Sequence, residues 1–222
     1  MAINSNAYHQ IQTRCKAAGV TLVAVSKTKP VEEIMALYDL GHRDFGENYV
    51  QELIAKYEVL PKDIRWHFIG HLQSNKVKYI APFIHLIHGV DTERLLKEIN
   101  KQAQKIGRII NCLLQMHIAK EETKFGLDET ELKAVLFNVE PLENIIICGL
   151  MAMASFIDDM EAVRNEFRVL KNTFNKYSSL SIANCKFSIL SMGMSADYTI
   201  AMEEGSTMIR IGSLLFGARQ KL

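Results

Sequence analysis

Lys27 stands at the end of a short apolar run, Leu22 to Ser26, and directly before the segment Thr28-Lys29-Pro30, where a helical pattern begins. A lysine amine at the mouth of a buried strand can form an imine with a carbonyl compound. Taken alone, the position is also typical of an ordinary solvated strand end, where lysines are common. Residues near the other end of the chain favour the imine.

Two segments rich in small residues near the C-terminus resemble a phosphate cradle. They are Ser191-Met192-Gly193-Met194-Ser195 and Arg210-Ile211-Gly212-Ser213. The glycine of the first segment lets the backbone approach a ligand closely, and the serines offer hydroxyl donors. The pair Gly212-Ser213 supplies a second set of donors. A phosphate site opposite an imine-forming lysine predicts pyridoxal 5'-phosphate as the cofactor.

Arg210 fits the same cofactor. It alternates with Met208 and Gly212 along a predicted strand, so all three lie on one face and Arg210 is expected beside the pyridine nitrogen. A guanidinium cannot accept the ring proton, so the pyridine would stay neutral and be a weaker electron sink. The alternative is a salt bridge from Arg210 to Glu203 or Glu204.

The secondary-structure elements that must position these residues are predicted from the spacing of apolar residues, which alternates between strand-like and helix-like along the chain. Near-continuous apolar runs predict buried strands, and between them apolar residues recur at helical spacing. A helix is predicted from Ser5 to Ala18, ending at Gly19, and the capping box of Asp128 and Glu131 begins another. A polar helix is predicted from Ser74 and another from Ser195 to Glu204, and Met160 is expected to be buried in the helix after the sixth strand. The predicted strands cover residues 22–27, 44–46, 66–70, 86–90, 109–118, 145–153, 187–192 and 207–212.

Eight such β-α units predict a closed (β/α)8 TIM barrel preceded by an extra N-terminal helix. An open sheet that binds a dinucleotide would need a glycine-rich turn after its first strand, and the segment 26–30 has no glycine. No linker, repeat or low-complexity tract divides the sequence, so we expect a single α/β domain over residues 1–222. In such barrels, functional residues gather at the C-terminal ends of the strands.

Composition narrows the classes of function. The 222 residues are 48% hydrophobic and 23% charged, with a net charge of +1, which gives no electrostatic footprint for nucleic acid or a membrane surface. No signal peptide or membrane-spanning run is seen, and the four cysteines are widely spaced, so we expect a cytoplasmic protein with reduced thiols. His85 and His88 lack metal-ligand spacing to any partner, so no metal is predicted.

Three further features have alternative interpretations. His67 alternates with Trp66 and Phe68, so it faces the interior either as a core histidine or as a site residue. Asn48 follows a strand end and could bond the ring hydroxyl of the cofactor or cap the next helix. A charge run of Glu121, Glu122 and Lys124 is typical of a solvated loop.

The sequence also resembles the family of pyridoxal phosphate homeostasis proteins from the first strand to the C-terminus. The motifs that carry the resemblance are Ala24-Val25-Ser26-Lys27-Thr28-Lys29-Pro30, Phe45-Gly46-Glu47-Asn48-Tyr49-Val50-Gln51-Glu52, Trp66-His67-Phe68-Ile69-Gly70-His71-Leu72-Gln73-Ser74-Asn75-Lys76, Ser191-Met192-Gly193-Met194-Ser195-Ala196-Asp197-Tyr198 and Arg210-Ile211-Gly212-Ser213-Leu214-Leu215-Phe216-Gly217. The resemblance implies a barrel like that of alanine racemase, Lys27 as the Schiff-base lysine, and a role in vitamin B6 homeostasis without an established reaction. One departure is Gln115-Met116-His117-Ile118, where the family more often has a Val-Asn pair.

Three functions remain open from the residues. The first is a cofactor carrier that supplies apo pyridoxal phosphate enzymes, and the second is a racemase-like amino-acid enzyme. The second needs another acid or base, which in the racemases that the sequence resembles comes from an added domain; the sequence ends at Leu222, so we expect no such domain. We also expect a monomer. The third, an aldolase using Lys27 on a sugar phosphate, leaves Arg210 unexplained. The predicted cofactor-binding residues are Lys27, Asn48, His67, Ser191, Arg210, Gly212 and Ser213, with no catalytic residue.

Overall fold

The strands of the computed structural model form a closed barrel. The structure describes residues 3–119 and 125–217, so the charged loop predicted at Glu121, Glu122 and Lys124 lies outside it. Each strand pairs in parallel with the next one along the chain, and the last pairs with the first. The strands are β1 (Thr21–Val25), β2 (Asp44–Glu47), β3 (Arg65–Phe68), β4 (Leu86–Val90), β5 (Ile110–Gln115), β6 (Ile145–Met151), β7 (Cys185–Ser191) and β8 (Met208–Ile211).

Helices connect the strands and cover the outside of the barrel. They are α1 (Ser5–Ala18), α2 (Val31–Asp39), α3 (Val50–Val59), α4 (Val77–Ile80), α5 (Glu93–Lys105), α6 (Glu129–Phe137), α7 (Met160–Ser178), α8 (Tyr198–Glu203) and α9 (Ser213–Phe216). A 3₁₀ turn, Ser74–Lys76, precedes α4. The predicted TIM barrel with its extra N-terminal helix is confirmed.

The apolar strand runs bury two separate hydrophobic layers. The larger one lies between the strands and the helices, and the smaller one fills the inside of the barrel with side chains such as Val23, Leu86, Leu113 and Met208. Strands β2, β4 and β8 are buried along their whole length, which explains why β4 and β8 do not alternate apolar with polar residues.

Local sequence signals define several helix ends. Asn4 caps α1 through its side chain, and Gly19 ends it in the left-handed conformation at φ 65°. Asp128 and Glu131 form the predicted capping box of α6. The prediction that Met160 is buried was wrong: it is the first residue of α7 and is 41% exposed.

Two predicted helices are shorter than their sequence patterns. The segment after Ser195 becomes helical only at Tyr198, because Asp197 uses its side chain to accept a hydrogen bond from the Met194 backbone at 2.5 Å and holds a turn there. The polar helix expected from Ser74 is a 3₁₀ turn followed by one turn of α-helix. Among the described helices, none has the length and apolar character to cross a membrane.

Candidate functional site

A cavity of about 390 Å³ opens at the C-terminal ends of the strands, where barrels of this class carry their functional residues. Lys27 lines it just beyond β1, and Arg210 of β8 lines its floor. The other residues that line it are Val25, Lys29, Asn48, Ile69, Met153, Ala154, Ser155, Phe156, Met194, Ser195, Ala196, Asp197, Gly212, Ser213 and Gly217. The structure therefore brings together five of the seven predicted cofactor-binding residues.

The loop that carries Lys27 is fixed on both sides. Ser26 is fully buried and donates its hydroxyl to Glu47 Oε1 at 2.6 Å. Thr28 has φ 62°, an uncommon conformation for a β-branched residue, and donates its backbone N–H to Glu52 Oε1 at 2.6 Å. Lys27 itself is half-buried between these two anchors. Its backbone position is thus set by two carboxylates.

Lys56 joins those two carboxylates. Its ammonium lies 2.7 Å from Glu47 Oε1, 2.7 Å from Glu52 Oε1 and 2.7 Å from the Ser26 carbonyl oxygen, and Lys56 is only 5% exposed. Burial raises the pKa of Glu47, and the charge and hydrogen bond of Lys56 oppose that rise. We call Ser26, Glu47, Glu52 and Lys56 the loop clamp.

Arg210 is buried beneath the cavity. Its Nη1 donates to Ser191 Oγ at 2.7 Å, and its Nη2 donates to the carbonyl oxygen of Ala152 at 3.0 Å. Burial lowers the pKa of Arg210 to about 10, so the guanidinium remains charged at neutral pH. The alternative salt bridge to Glu203 or Glu204 was wrong, since both carboxylates pair with Arg164.

Ser191 does not lie where a direct phosphate donor is expected. It is fully buried, is not among the cavity-lining residues, and its hydroxyl contacts Arg210 Nη1 and His88 Nδ1 at 3.1 Å. The reason is that Ser191 is the last residue of β7 and points into the barrel, below the mouth. This placement gives Ser191 a supporting position under Arg210, and its contact with the phosphate stays a prediction.

Ser195, Gly212 and Ser213 do line the cavity, as predicted for Gly212 and Ser213. The Gly212 backbone N–H points to Ser195 Oγ at 3.4 Å, so the two predicted cradle segments meet. In the turn that follows, Gly212 O accepts from Leu215 and Phe216, which leaves the amides of Ser213 and Leu214 outside that turn's internal bonds.

Gly193 shapes the first cradle segment. Its φ is +97°, and a Cβ at this position would lie 2.6 Å from the Ala201 side chain. Only glycine avoids both the strain and the clash. The turn it makes leads from buried Ser191 out to Ser195 at the cavity wall.

Asn48 lines the cavity and leaves its side-chain carbonyl oxygen, Oδ1, buried without a hydrogen-bond partner in the described part of the chain. The capping alternative was wrong: Tyr49 occupies the N-cap position of α3, and no side chain makes a capping bond there. A buried acceptor without a donor is costly unless a ligand completes it.

His67 is a core histidine rather than a cavity residue. It is 1% exposed, and its ring nitrogens contact His88 Nε2 at 2.9 Å and Asp44 Oδ1 at 3.1 Å. It is not among the cavity-lining residues, because its side chain points into the barrel from β3 and is enclosed there. A direct contact between His67 and the cofactor stays a prediction.

Sequence reasoning missed several residues that support the site. Glu47, Glu52 and Lys56 form the loop clamp, and His88 and Asp44 contact His67 inside the barrel. Polar residues within otherwise apolar strands were the available signal for His88 and Glu47. In the described part of the chain, no group of three or more His, Cys, Asp or Glu side chains is arranged to hold a metal ion.

A larger cavity of about 780 Å³ shares no lining residue with the first. His71 and Asp91 contact each other within it at 2.9 Å, and Arg94 and Glu98 contribute opposite charges to its wall. Neither Lys27 nor Arg210 reaches it. The smaller cavity is the one that combines an amine, a buried cation and an unpartnered amide oxygen, so it is the candidate functional site.

The sequence of this chain matches a family model and a curated relative over nearly its whole length. Residues 2–220 match the family model described as alanine racemase, N-terminal domain. A pyridoxal phosphate homeostasis protein of Aquifex aeolicus is 40% identical over 222 residues, covering 97% of this chain and 96% of the relative.

Two solved structures of PipY from Synechococcus elongatus are also similar to the chain, each at 34% identity. The form without PLP has a TM-score of 0.89 and covers 96% of this chain and 99% of PipY, and the form with PLP bound has a TM-score of 0.85 and covers 95% and 99%. The family predicted from the sequence is therefore confirmed.

Proposed function

Because this chain belongs to the family of pyridoxal phosphate homeostasis proteins, we propose that it binds pyridoxal 5'-phosphate as a Schiff base on Lys27 and supplies it to other proteins. The observation that carries the proposal is that Lys27, buried Arg210 and the unpartnered Asn48 oxygen line one cavity. The names of the relatives and the PLP bound to a similar structure agree with the predicted cofactor.

The residues present fit this cofactor. The cavity, at about 390 Å³, falls in the usual range for small-molecule sites. Asn48 Oδ1 is a buried acceptor that needs a donor, which the ligand would provide. Ser195 and the Gly212-Ser213 turn would hold the phosphate, and Arg210 would face the ring from below.

Bound there, the cofactor supplies an aldehyde that condenses with the lysine amine with loss of water, and a pyridine ring that withdraws electrons. The protein holds the Lys27 amine at the cavity wall through the loop clamp. Arg210 places a permanent cation that can donate a hydrogen bond but cannot give up a proton at neutral pH. The ring nitrogen would therefore stay unprotonated, which restrains carbanion chemistry.

We further propose that the protein is a carrier rather than an amino-acid enzyme. Among the described residues that line the cavity, none is a tyrosine, histidine or cysteine, and the carboxylate of Asp197 accepts a hydrogen bond from the Met194 backbone N–H. Lys29 is engaged with the Phe216 carbonyl oxygen at 2.7 Å. Phe156 at the rim is 89% exposed, so the mouth is open to water.

The proposal also covers the location, the oligomeric state and the partners of the protein. A carrier with a net charge of +1 has no electrostatic reason to bind nucleic acid or a membrane surface. We expect a cytoplasmic monomer that hands the cofactor to apo pyridoxal phosphate enzymes. Gel filtration and transfer to a purified apo-enzyme would test these two expectations separately.

The attachment site is tested by reduction. Protein loaded with pyridoxal 5'-phosphate should show a visible absorption band, and borohydride should fix the cofactor on Lys27, as peptide mapping would show. Lys27→Arg should lose the band, whereas Lys78→Arg, a surface control, should keep it. Label on Lys29 or Lys76 instead of Lys27 would disprove the assignment, and a colourless protein would favour the aldolase.

A further inference from the structure

A continuous line of hydrogen bonds runs through the inside of the barrel from the cavity floor towards the opposite end. Arg210 Nη1 contacts Ser191 Oγ at 2.7 Å, and Ser191 Oγ contacts His88 Nδ1 at 3.1 Å. His88 Nε2 lies 2.9 Å from His67 Nδ1, and His67 Nε2 lies 3.1 Å from Asp44 Oδ1. We call these five residues the axial chain.

Four members of the axial chain are almost completely enclosed. Ser191 and His88 are fully buried, His67 is 1% exposed and Arg210 is 4% exposed. Asp44 begins β2, at the end of the barrel opposite the cavity, and Arg65 at the start of β3 binds both of its carboxylate oxygens. The axial chain therefore joins a buried cation below the cofactor cavity to a carboxylate at the far end of the barrel.

The carboxylate fixes the direction of every hydrogen bond. Asp44 accepts only, so His67 must donate from Nε2, which makes its Nδ1 an acceptor if the ring is neutral. His88 must then donate from Nε2 to His67, and its own Nδ1 becomes an acceptor for the Ser191 hydroxyl. Ser191 has one proton to give, so its oxygen is left to accept from Arg210. All four bonds then point from Arg210 towards Asp44.

The reverse order is unfavourable. If His88 donated from Nδ1 to Ser191, His67 would have to donate from Nδ1 to His88, and its bare Nε2 would face the carboxylate of Asp44. Burial lowers the pKa of His88 well below its usual value, so His88 does not carry a second proton. With a neutral His67 the contacts leave one arrangement, whereas a doubly protonated His67 would donate from both nitrogens and permit the reverse order.

We propose that Ser191, His88, His67 and Asp44 are positioning residues that hold Arg210 against the cofactor through this one-way axial chain. The inference rests on the proposed function, since it assigns to the interior of the barrel a role in cofactor retention. Each acceptor in the chain polarises the next donor, so the Asp44 charge strengthens the bond that Ser191 makes to Arg210. Among the contacts that the structure gives the Arg210 guanidinium, Ser191 is the only side chain.

The first test uses the protein without cofactor. Long-range ¹H–¹⁵N NMR of the histidine rings should show His67 and His88 as neutral Nε2–H tautomers at pH 7.5. Ser191→Ala should move the Nδ1 resonance of His88 and leave that of His9, which is exposed on α1, in place. An Nδ1–H tautomer at either His67 or His88, or a doubly protonated His67, would overturn the proposal.

The second test compares two buried serines in the loaded protein. Ser191→Ala should weaken retention of pyridoxal 5'-phosphate about tenfold, the effect of losing a hydrogen bond to a charged group, and should shift the absorption band of the bound cofactor. Ser206→Ala is the matched control, because Ser206 is also buried and its hydroxyl contacts three backbone carbonyl oxygens near β7 and β8.

The outcomes separate the two ideas. Equal retention and equal spectra for Ser191→Ala and Ser206→Ala would overturn the role of the axial chain while leaving Lys27 as the attachment site. A weaker, spectrally shifted Ser191→Ala with an unshifted Ser206→Ala would support it. Failure of the wild-type protein to load cofactor would overturn the proposed function, and the tautomers of the unloaded protein would then decide whether the axial chain exists.

Discussion

Thr28 donates its backbone N–H to Glu52 Oε1 at 2.6 Å while holding a φ of 62°. This conformation is strained for a β-branched residue and persists only where the surroundings impose it. Glu52 belongs to α3 and is itself held by Lys56. The conformation next to Lys27 is thus stabilised by a helix that lies far from it in the sequence.

Glu52→Gln should weaken cofactor retention by loosening this turn. The neutral amide keeps the shape of the side chain but gives a weaker bond to the Thr28 N–H, so we expect a loss of about threefold to tenfold in affinity. Equilibrium titration with pyridoxal 5'-phosphate measures it. Glu58→Gln on the exposed face of the same helix is the control. Equal affinities for the two variants would contradict a role for the Thr28–Glu52 bond.

Lys56→Met should destabilise the fold more than an ordinary surface change. It leaves the fully buried carboxylate of Glu47 without its cation, which typically costs about 3–5 kcal/mol. Urea denaturation of the unloaded protein measures the free energy of unfolding. Lys97→Met removes an exposed ion pair to Glu93 and should cost about 0.5 kcal/mol or less. A loss below about 1 kcal/mol for Lys56→Met would show that Glu47 takes up a proton or finds another partner.

The barrel could be predicted from the sequence because most strands are near-continuous apolar runs and each is followed by a helical pattern. The cavity could be predicted as well, since in a barrel the strand ends that carry Lys27, Asn48 and Arg210 must converge. The first residues of the helices were predicted less accurately. Asp197 takes the Met194 N–H with its side chain, and such a local turn delays α8 without changing the apolar pattern.

The interior of the barrel could not be predicted in the same way. Lys56 lies in a helical segment where a lysine usually faces solvent, and only the tertiary fold places Glu47 beneath it. Ser191 and Ser195 are four residues apart and equally suited to phosphate, yet one points into the barrel and the other into the cavity. Strand register decides between them, and register depends on the neighbouring strands.

If Ser195 and Ser213 hold the phosphate, replacing either one should weaken cofactor binding, whereas replacing a serine away from the cavity should not. Ser213→Ala and Ser195→Ala should each reduce the affinity for pyridoxal 5'-phosphate about tenfold, because each removes a donor to a dianionic group. Affinity for pyridoxal, which lacks the phosphate, should not change. Ser188→Ala on the exposed face of β7 provides the control. If the affinity for pyridoxal fell equally, the two serines would contact another part of the ligand.

Stability should fall in mild acid because of buried neutral histidines. Burial lowers the pKa of His88 and, together with smaller effects, that of His42. A histidine with a lowered pKa stabilises the fold fully above its unfolded value of about 6.5, and that stability is lost as the pH falls below it, by up to about 1.4 kcal/mol per pH unit for each group.

Urea denaturation at pH 7.5, 6.5 and 5.5 would test this dependence. His88→Gln removes one titrating group, so its free energy of unfolding should fall less steeply between pH 6.5 and 5.5 than that of the wild type, whatever its stability at pH 7.5. A wild-type stability that is constant over this range would mean that the two histidines are reached by water and protonated in the folded protein.

The loaded protein should exchange the α-protons of amino acids slowly and should transfer its cofactor efficiently. Arg210 keeps a fixed positive charge beneath the cavity, which disfavours a proton on the pyridine nitrogen. The described lining offers no tyrosine, histidine or cysteine as a second acid or base, and its carboxylate, Asp197, accepts the Met194 N–H. Incubation with L- and D-amino acids in deuterated solvent, followed by NMR, measures exchange, and reactivation of an apo-enzyme measures transfer.

Arg210→Glu would place a carboxylate under the ring and should raise exchange relative to wild type if it still loads. Exchange by the wild-type protein faster than about 1 s⁻¹, the lower end of ordinary turnover, would favour a racemase-like enzyme over a carrier.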